Sequence, residues 1–280
     1  MEARTDELAW TPEYVARYWD YWSQRKDTRH TYFANQVGEG VARFLERAVP
    51  LRGAATLDFG AGPGYLVQHL LTRGALVSAT DYSPETVTGL RQRFSGKEGW
   101  VGASIFDGLR LPWPDATFDV VCCLETIEHL LDEHCELIFS ELRRVLKPEG
   151  TALFTTPNSE DLRQQHVYCP RCDCSFHRWQ HVRSWSPETL RGYLQRMGFR
   201  VEFCEGLTFQ SLQRKRLFRP HWVLWWSMLS AMGFLQRRTL PNGSFFPKQL
   251  FRYGREHLAA VAVKSEAAGA GLDVRRSAAA

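Results

Sequence analysis

The stretch Leu57-Asp58-Phe59-Gly60-Ala61-Gly62-Pro63-Gly64-Tyr65 constrains the fold of this chain more than any other. An apolar run that reads as a buried strand ends in three glycines at alternate positions and then enters a helical pattern. A chain leaving a central strand must turn sharply, and residues without a side chain let its backbone approach a ligand closely. A nucleotide-like ligand is therefore expected at this turn. The dinucleotide fingerprint G-x-G-x-x-G would place Gly or Ala at position 65, where Tyr stands. The pattern is instead G-x-G-x-G, led by Asp58.

Around this turn strand and helix patterns alternate as they do in a parallel sheet with crossover helices. Strands are predicted over 55–60, 76–81, 100–106, 118–124, 151–156, about 199–209 and 257–264. Helices are predicted over 64–73, 84–94 and 132–146, and from Pro187 to Gly198. Ser83-Pro84-Glu85 and Ser186-Pro187-Glu188 each supply an N-cap, a first-turn proline and a first-turn acid. Lys147-Pro148-Glu149-Gly150 is a helix stop. Thr11-Pro12-Glu13 opens an N-terminal helix with Tyr14, Tyr18, Tyr21 and Trp22 on one aromatic face, either packed on the domain or closing over the ligand. A second helix is predicted over 36–48, before Pro50.

The expected organisation is an N-terminal helical cap over 1–50 and a ligand-binding core over 51–210 and 256–265. A Cys/His loop at 159–185 interrupts that core, and a basic aromatic insertion occupies 211–255. An Ala/Gly/Arg tail at 266–280 has the composition of a disordered segment. A chain of 280 residues with 44% hydrophobic and 24% charged residues suits one large α/β domain and excludes a wholly disordered protein. Seven cysteines, three of them within six residues, fit a reducing compartment better than a disulfide framework. Met1 to Leu8 is polar with no apolar run behind it, and no run approaches the roughly 18 apolar residues of a membrane span. A cytoplasmic location is the expectation. The net charge of +4 is uneven: Ser211 to Arg255 holds nine Lys/Arg and no Asp or Glu, a candidate anion-binding surface.

In an open α/β sheet, ligands sit at the carboxyl ends of the strands, and acids stand at those ends here. Asp58 lies near the end of the first strand, Asp81 closes the second, and Asp107 follows Phe106 at the end of the third. An acid about 20 residues beyond the first strand is placed to grip a ribose diol. Asp107 could receive an adenine amino group.

On these residues, from about Ala55 to Lys264, the chain resembles a class I S-adenosylmethionine (SAM) dependent methyltransferase. The matching positions are Leu57 to Tyr65, Asp81-Tyr82-Ser83, Phe106-Asp107 and Leu146 to Gly150. The resemblance implies a Rossmann-like fold with a seven-stranded, mostly parallel sheet, helices on both faces and one antiparallel edge strand. It also implies SAM as cofactor, contacted by Asp58, Gly60, Gly62, Gly64, Asp81, Tyr82, Ser83, Phe106, Asp107 and Leu124.

Leu124-Glu125-Thr126-Ile127-Glu128-His129 follows the fourth strand, where a methyl acceptor should lie. If this stretch is helical, Glu125, Glu128 and His129 share one face, and two adjacent carboxylates need a cation between them. Two oxygens and an imidazole suit Mg, Mn, Fe or Zn; the alternative is a solvated acidic turn. E-x-x-E-H at this place resembles two sub-families, the O-methyltransferases of ubiquinone biosynthesis and the enzymes that methylate the 2′-hydroxyl at the 3′ end of small RNAs. In both, a divalent metal and a later histidine are associated with the motif. Here that histidine is His181, with His177 competing for the place. His129 or His181 could serve as a base where metal does not.

Cys169-Pro170-Arg171-Cys172-Asp173-Cys174-Ser175-Phe176-His177 offers four soft ligands within nine residues, Cys169, Cys172, Cys174 and His177, a candidate structural zinc knuckle. Reduced, unligated cysteines are the alternative. Cys122, Cys123, Cys135 and Cys204 read as core. The insertion sets Arg214-Lys215-Arg216, Arg219 and Arg237-Arg238 around a tryptophan-rich run. It is either a cap over the acceptor or, through 214–238, a peripheral membrane contact; RNA backbone binding is less favoured. The activity expected is metal-assisted O-methylation of a small-molecule or lipid-linked acceptor. Methylation of a terminal RNA ribose and SAM binding without turnover are the alternatives. The oligomeric state is not legible.

Overall fold

A computed structural model describes residues 6–25, 27, 29–106, 110–213 and 256–265. Asp107, the basic run from Arg214 to Arg255 and the tail from 266 onward lie outside the described residues, so the expectations resting on them concern parts of the chain without described structure. The elements run β1 (Asp6–Glu7), α1 (Pro12–Gln24), α2 (Phe33–Leu45), β2 (Ala55–Phe59), α3 (Tyr65–Leu71), β3 (Leu76–Asp81), α4 (Pro84–Phe94), β4 (Trp100–Ile105) and β5 (Phe118–Leu124). They continue with α5 (Asp132–Val145), β6 (Leu146–Pro157), β7 (His166–Cys169), β8 (Cys174–His177), α6 (Pro187–Arg196), β9 (Phe199–Leu207), α7 (Gln210–Gln213) and β10 (His257–Lys264).

Seven strands form one sheet in the order β4-β3-β2-β5-β6-β10-β9. All neighbours are parallel except that β10 runs antiparallel to both β6 and β9. The antiparallel strand is thus second from the edge, and the edge itself is β9, which corrects the expected antiparallel edge strand. Burial explains the order. β10, His-Leu-Ala-Ala-Val-Ala-Val-Lys, is buried at its six central residues, whereas β9 alternates with charged side chains and is half-exposed along most of its length. A continuous apolar run belongs between two strands and under two faces; a mixed strand tolerates the edge.

Successive side chains of a strand point to opposite faces, and each face has its own core. Cys122 of β5 and Leu153 of β6 pack with Val41 and Phe44 of α2, Leu66 and Leu70 of α3, and Leu90 of α4. Val121, Cys123 and Phe154 pack on the other face with Ile138, Phe139 and Leu142 of α5 and Leu190 of α6. Full burial of one such side chain contributes about 1.5–3 kcal/mol, so the two layers fix the sheet that carries the site.

The predicted helix stop at Lys147–Gly150 sits inside a strand ladder. Leu146 already pairs with Phe118, and pairing resumes at Thr151 opposite Val120 after a bulge with Glu149 at φ 57°. The predicted second helix begins three residues earlier than expected, at Phe33. Within the loop at 159–185, β7 and β8 form an antiparallel hairpin, and β1 adds to β8 in parallel. At two residues for β1 and four each for β7 and β8, these strands are too short to declare themselves by alternation.

Candidate active site

The three glycines of the first turn all adopt left-handed backbone, with φ of 72°, 50° and 79° at Gly60, Gly62 and Gly64. Side chains would also collide there: a Cβ at Gly64 would stand 2.6 Å from both Leu90 and Phe94, and one at Gly60 would stand 2.6 Å from Thr126 Oγ1. Gly64 then caps α3. Asp81, at the end of β3, fixes this loop from the side. Its Oδ2 accepts from the Gly62 N–H at 2.9 Å and its Oδ1 from the Ser83 N–H at 3.0 Å. Asp58 is 2% exposed, and its Oδ2 is buried without a hydrogen-bond partner. Burial, followed by repulsion from Asp81, pushes its carboxyl up to about 8. Burial also raises Asp81, partly offset by the Ser83 and Gly62 N–H bonds.

The E-x-x-E-H stretch is a turn, not a helix, which removes the expected common face. Glu125 leaves β5 at φ 45°, its N–H donating to Thr155 O at 2.9 Å. That conformation carries its Oε2 to 3.3 Å from His257 Nδ1, at the start of β10. Burial disfavours charge on His257, but the Glu125 carboxylate prevails and lifts its pKa. Glu128 is 1% exposed, and neither of its Oε atoms has a hydrogen-bond partner. Burial and then Glu125 drive its pKa well up.

His129 Nδ1 lies 3.3 Å from the Gln180 carbonyl and so carries the proton, leaving an unprotonated Nε2 3.9 Å from Glu128 Oε1. Burial and then His181 lower His129 to about 3. Its ring is held in place from above. Trp19 of α1 meets it edge-on with centroids 4.7 Å apart, and Trp19 Nε1 donates to Gln180 Oε1 at 2.9 Å. Gln180 Nε2 donates back to the His129 carbonyl at 3.0 Å.

His181 Nδ1 lies 2.5 Å from Glu160 Oε2, which leaves Nε2 as the atom available to a ligand in the cavity. His177 stacks on His181 with centroids 4.3 Å apart. Its Nδ1 accepts the N–H groups of Trp179 and His181, so its proton sits on Nε2, facing Glu160 Oε1 at 3.3 Å. Burial works to raise Glu160, but the bonds from His177 and His181 hold it down, to about 2. Among the described residues, two groups bring three ligand atoms within 4.8 Å of one another: Glu128, His129 and His181, and Glu160, His177 and His181.

The three cysteines stand apart from this cluster. Cys174 and His177 are three residues apart in β8 and therefore point to opposite faces of the strand, which separates His177 from the sulfurs. Cys172 Sγ lies 2.8 Å from Cys174 Sγ.

One cavity of about 630 Å³ joins both halves of the site. Asp58, Gly60, Gly62, Asp81, Tyr82, Ser83, Phe106 and Leu124 line one side, and Glu125, Glu128, His129, His181 and His257 line the other. Trp19 and Trp22 of α1 also line it. Glu160, Gln180 and His257 were not singled out in the sequence. His257 had a signal: an antiparallel strand in a parallel sheet begins at the carboxyl edge, where the ligand lies.

Strand order, glycine turn and cavity together define a Rossmann-like domain of the class I methyltransferase type. A family model described as a methyltransferase domain matches residues 21–202, and the chain belongs to that family. The ubiquinone biosynthesis O-methyltransferase of Azotobacter vinelandii is 33% identical over 144 residues, covering 51% of this chain and 58% of that protein. The chain therefore spans little more than half the length of this relative. Among solved structures, the methyltransferase in complex with the Trm112 methyltransferase activator of Haloferax volcanii has a TM-score of 0.59 at 21% identity, covering 88% of this chain and 97% of that one. The [4+2]-cyclase SpnF has a TM-score of 0.58 at 17% identity, covering 93% and 99%. At such identities the likeness is one of fold.

Proposed function

We propose that the protein is a SAM-dependent methyltransferase that methylates a hydroxyl of a small-molecule or lipid-linked acceptor. The observation that carries this reading is the one cavity joining Gly60 to Pro63 and Asp81 to Glu128, His129 and His181; Gly64, predicted as a cofactor contact, packs against Leu90 and Phe94 instead. Its charge favours SAM over a dinucleotide. The Gly62 N–H, which would otherwise cradle a pyrophosphate, is given to Asp81, and Asp58, Asp81, Glu125 and Glu128 line the same space. A pyrophosphate would be repelled by whichever of these acids is ionised, whereas the sulfonium and ammonium groups of SAM would be attracted to it and favour its ionised form. Asp81 retains lone pairs for a ribose diol, and Phe106 offers a flat apolar wall for adenine.

The acceptor side fits a divalent cation. Glu128 presents two buried, unpartnered oxygens, and His129 and His181 each donate Nδ1–H to an oxygen, as metal-bound imidazoles do. Glu128, His129 and His181 would hold the ion, which supplies a lowered pKa to a bound hydroxyl. His177 is a poorer ligand, since its proton occupies Nε2. Where no cation is bound, His181 is the base: it takes the acceptor proton at Nε2 while Glu160 steadies the imidazolium through Nδ1–H. His129, lowered to about 3, stays neutral near neutral pH with its one proton on Nδ1, so it does not serve as the base. Trp19 and Trp22 exclude water from the transfer. In the transfer the acceptor oxygen gains the methyl, the sulfonium carbon–sulfur bond breaks, and S-adenosylhomocysteine leaves.

Calorimetry with SAM and with NADH, followed by a methyl-transfer screen of hydroxyl acceptors with and without divalent metal, tests this reading. SAM binding and metal-dependent O-methylation are expected. Binding of NADH in place of SAM would overturn the cofactor assignment, and full turnover in chelator would overturn the metal's role.

A further inference from the structure

Gln180 is fully buried, and its polar atoms are all engaged on the acceptor side or with α1. Its carbonyl accepts His129 Nδ1–H at 3.3 Å, its side-chain Nε2 donates to the His129 carbonyl at 3.0 Å, and its Oε1 accepts Trp19 Nε1–H at 2.9 Å. Its own N–H donates to the His177 carbonyl at 2.9 Å. An indole nitrogen can only donate and a peptide carbonyl can only accept, so the amide has one possible orientation between them. A Glu at this place would turn an acceptor on the His129 carbonyl, and a Met of the same reach would serve neither partner. The backbone at Gln180 is left-handed, at φ 60°, a conformation that Gln seldom adopts and that these bonds hold. The next residue is His181, and the Val182 N–H donates to the Glu128 carbonyl at 3.0 Å. Gln180 therefore sits where the turn after β5 and the segment bearing His181 are joined.

We infer that Gln180 is a positioning residue of the acceptor side: its carbonyl fixes the His129 proton on Nδ1 and keeps Nε2 free, while its side chain holds the His129 backbone and ties both to Trp19. The inference rests on the reading of Glu128, His129 and His181 as ligands of one divalent cation. A ligating imidazole needs its other N–H engaged, because that bond sets the tautomer and the direction of the ring. Here the engaging oxygen is a main-chain atom of a residue whose side chain is clamped on both sides. The clamp keeps that carbonyl aimed. Trp19 serves it from far away in the sequence: its ring meets His129 with centroids 4.7 Å apart, and its N–H anchors the amide. α1 thereby shapes the cation site without supplying a ligand to it.

The test is calorimetry of Mn and of SAM binding on one preparation of the whole chain, together with nitrogen NMR of its histidine rings in the absence of metal. Gln180→Met should weaken Mn binding by about tenfold or more, the usual cost of losing a ligand's outer partner, with SAM affinity kept within about threefold. Trp19→Phe should weaken Mn binding by about two- to tenfold, the worth of one hydrogen bond, and it supplies the reading if Gln180→Met does not fold. The double variant should bind Mn no more weakly than Gln180→Met alone, since the two residues act through one bond. In the metal-free wild type His129 should carry its proton on Nδ1, and in either variant a fraction of it should move to Nε2. That reading needs neither metal nor methyl transfer. A wild type that binds no Mn would remove the cation from the proposed function and leave the tautomer to decide the role of Gln180. Equal Mn affinity in Gln180→Met and wild type, losses of Mn and SAM by the same factor, or an unmoved His129 proton in both variants would each overturn the inference.

Discussion

His129 Nε2 stands 3.9 Å from Glu128 Oε1, too far for a hydrogen bond and near enough for both atoms to bind one ion. Neither oxygen of Glu128 has another partner, although the residue is buried. Burying a carboxylate alone is costly, and a cation between the two residues would remove that cost.

Glu128→Gln should therefore weaken divalent-metal binding by at least tenfold while leaving SAM affinity within about threefold, because it removes a ligand charge and no cofactor contact. Isothermal titration with Mn and with SAM on the same preparation reads both quantities. Unchanged metal affinity would count against Glu128 as a ligand.

Asp81→Ala should lower SAM affinity by about ten- to a hundredfold, the range that corresponds to losing hydrogen bonds to a charged group. The Gly62 and Ser83 N–H groups lose their acceptor in the same step. Titration with SAM measures the loss, and a change below twofold would contradict the ribose assignment.

Gly64→Ala should destabilise the fold by about 2–4 kcal/mol, through left-handed backbone and a Cβ driven into Leu90 and Phe94. The urea midpoint should fall with the slope of the transition unchanged.

The helix–strand alternation and the two core faces were legible in the sequence because burial is periodic along each element. The placement of β10 was readable in principle from its unbroken apolar run, but chain order made it look like an edge. The acceptor side was only half legible. Glu128, His129 and His181 meet as their types suggested, yet the turn at Glu125 depends on a positive φ that no propensity announces for glutamate. Glu160 and Gln180 belong to a loop whose path is set by contacts with α1 and the hairpin. Local patterns do not encode such contacts.

Acid should unfold the metal-free protein partly through His129. Its folded pKa is lowered to about 3, below the unfolded value of about 6.5, so the unfolded state binds the proton first. The stability tied to neutral His129 is complete above pH 6.5 and declines as pH falls toward 3, by up to about 1.4 kcal/mol per unit. Glu128, with a raised pKa, acts in the opposite sense over part of this range, so the informative quantity is a difference. Denaturation of wild type and His129→Asn in chelator should show the stability difference shrinking between pH 6.5 and 4.5; a constant difference would contradict burial of a neutral imidazole.

The most direct test is a single-turnover assay with methyl-labelled SAM and an accepted hydroxyl substrate, comparing wild type with Glu128→Gln at saturating SAM and fixed divalent metal. The expected result is label on the acceptor oxygen with wild type and a loss of at least a hundredfold in rate with Glu128→Gln, while both proteins bind SAM equally. Label on nitrogen or carbon, or equal rates for the two proteins, would contradict the account.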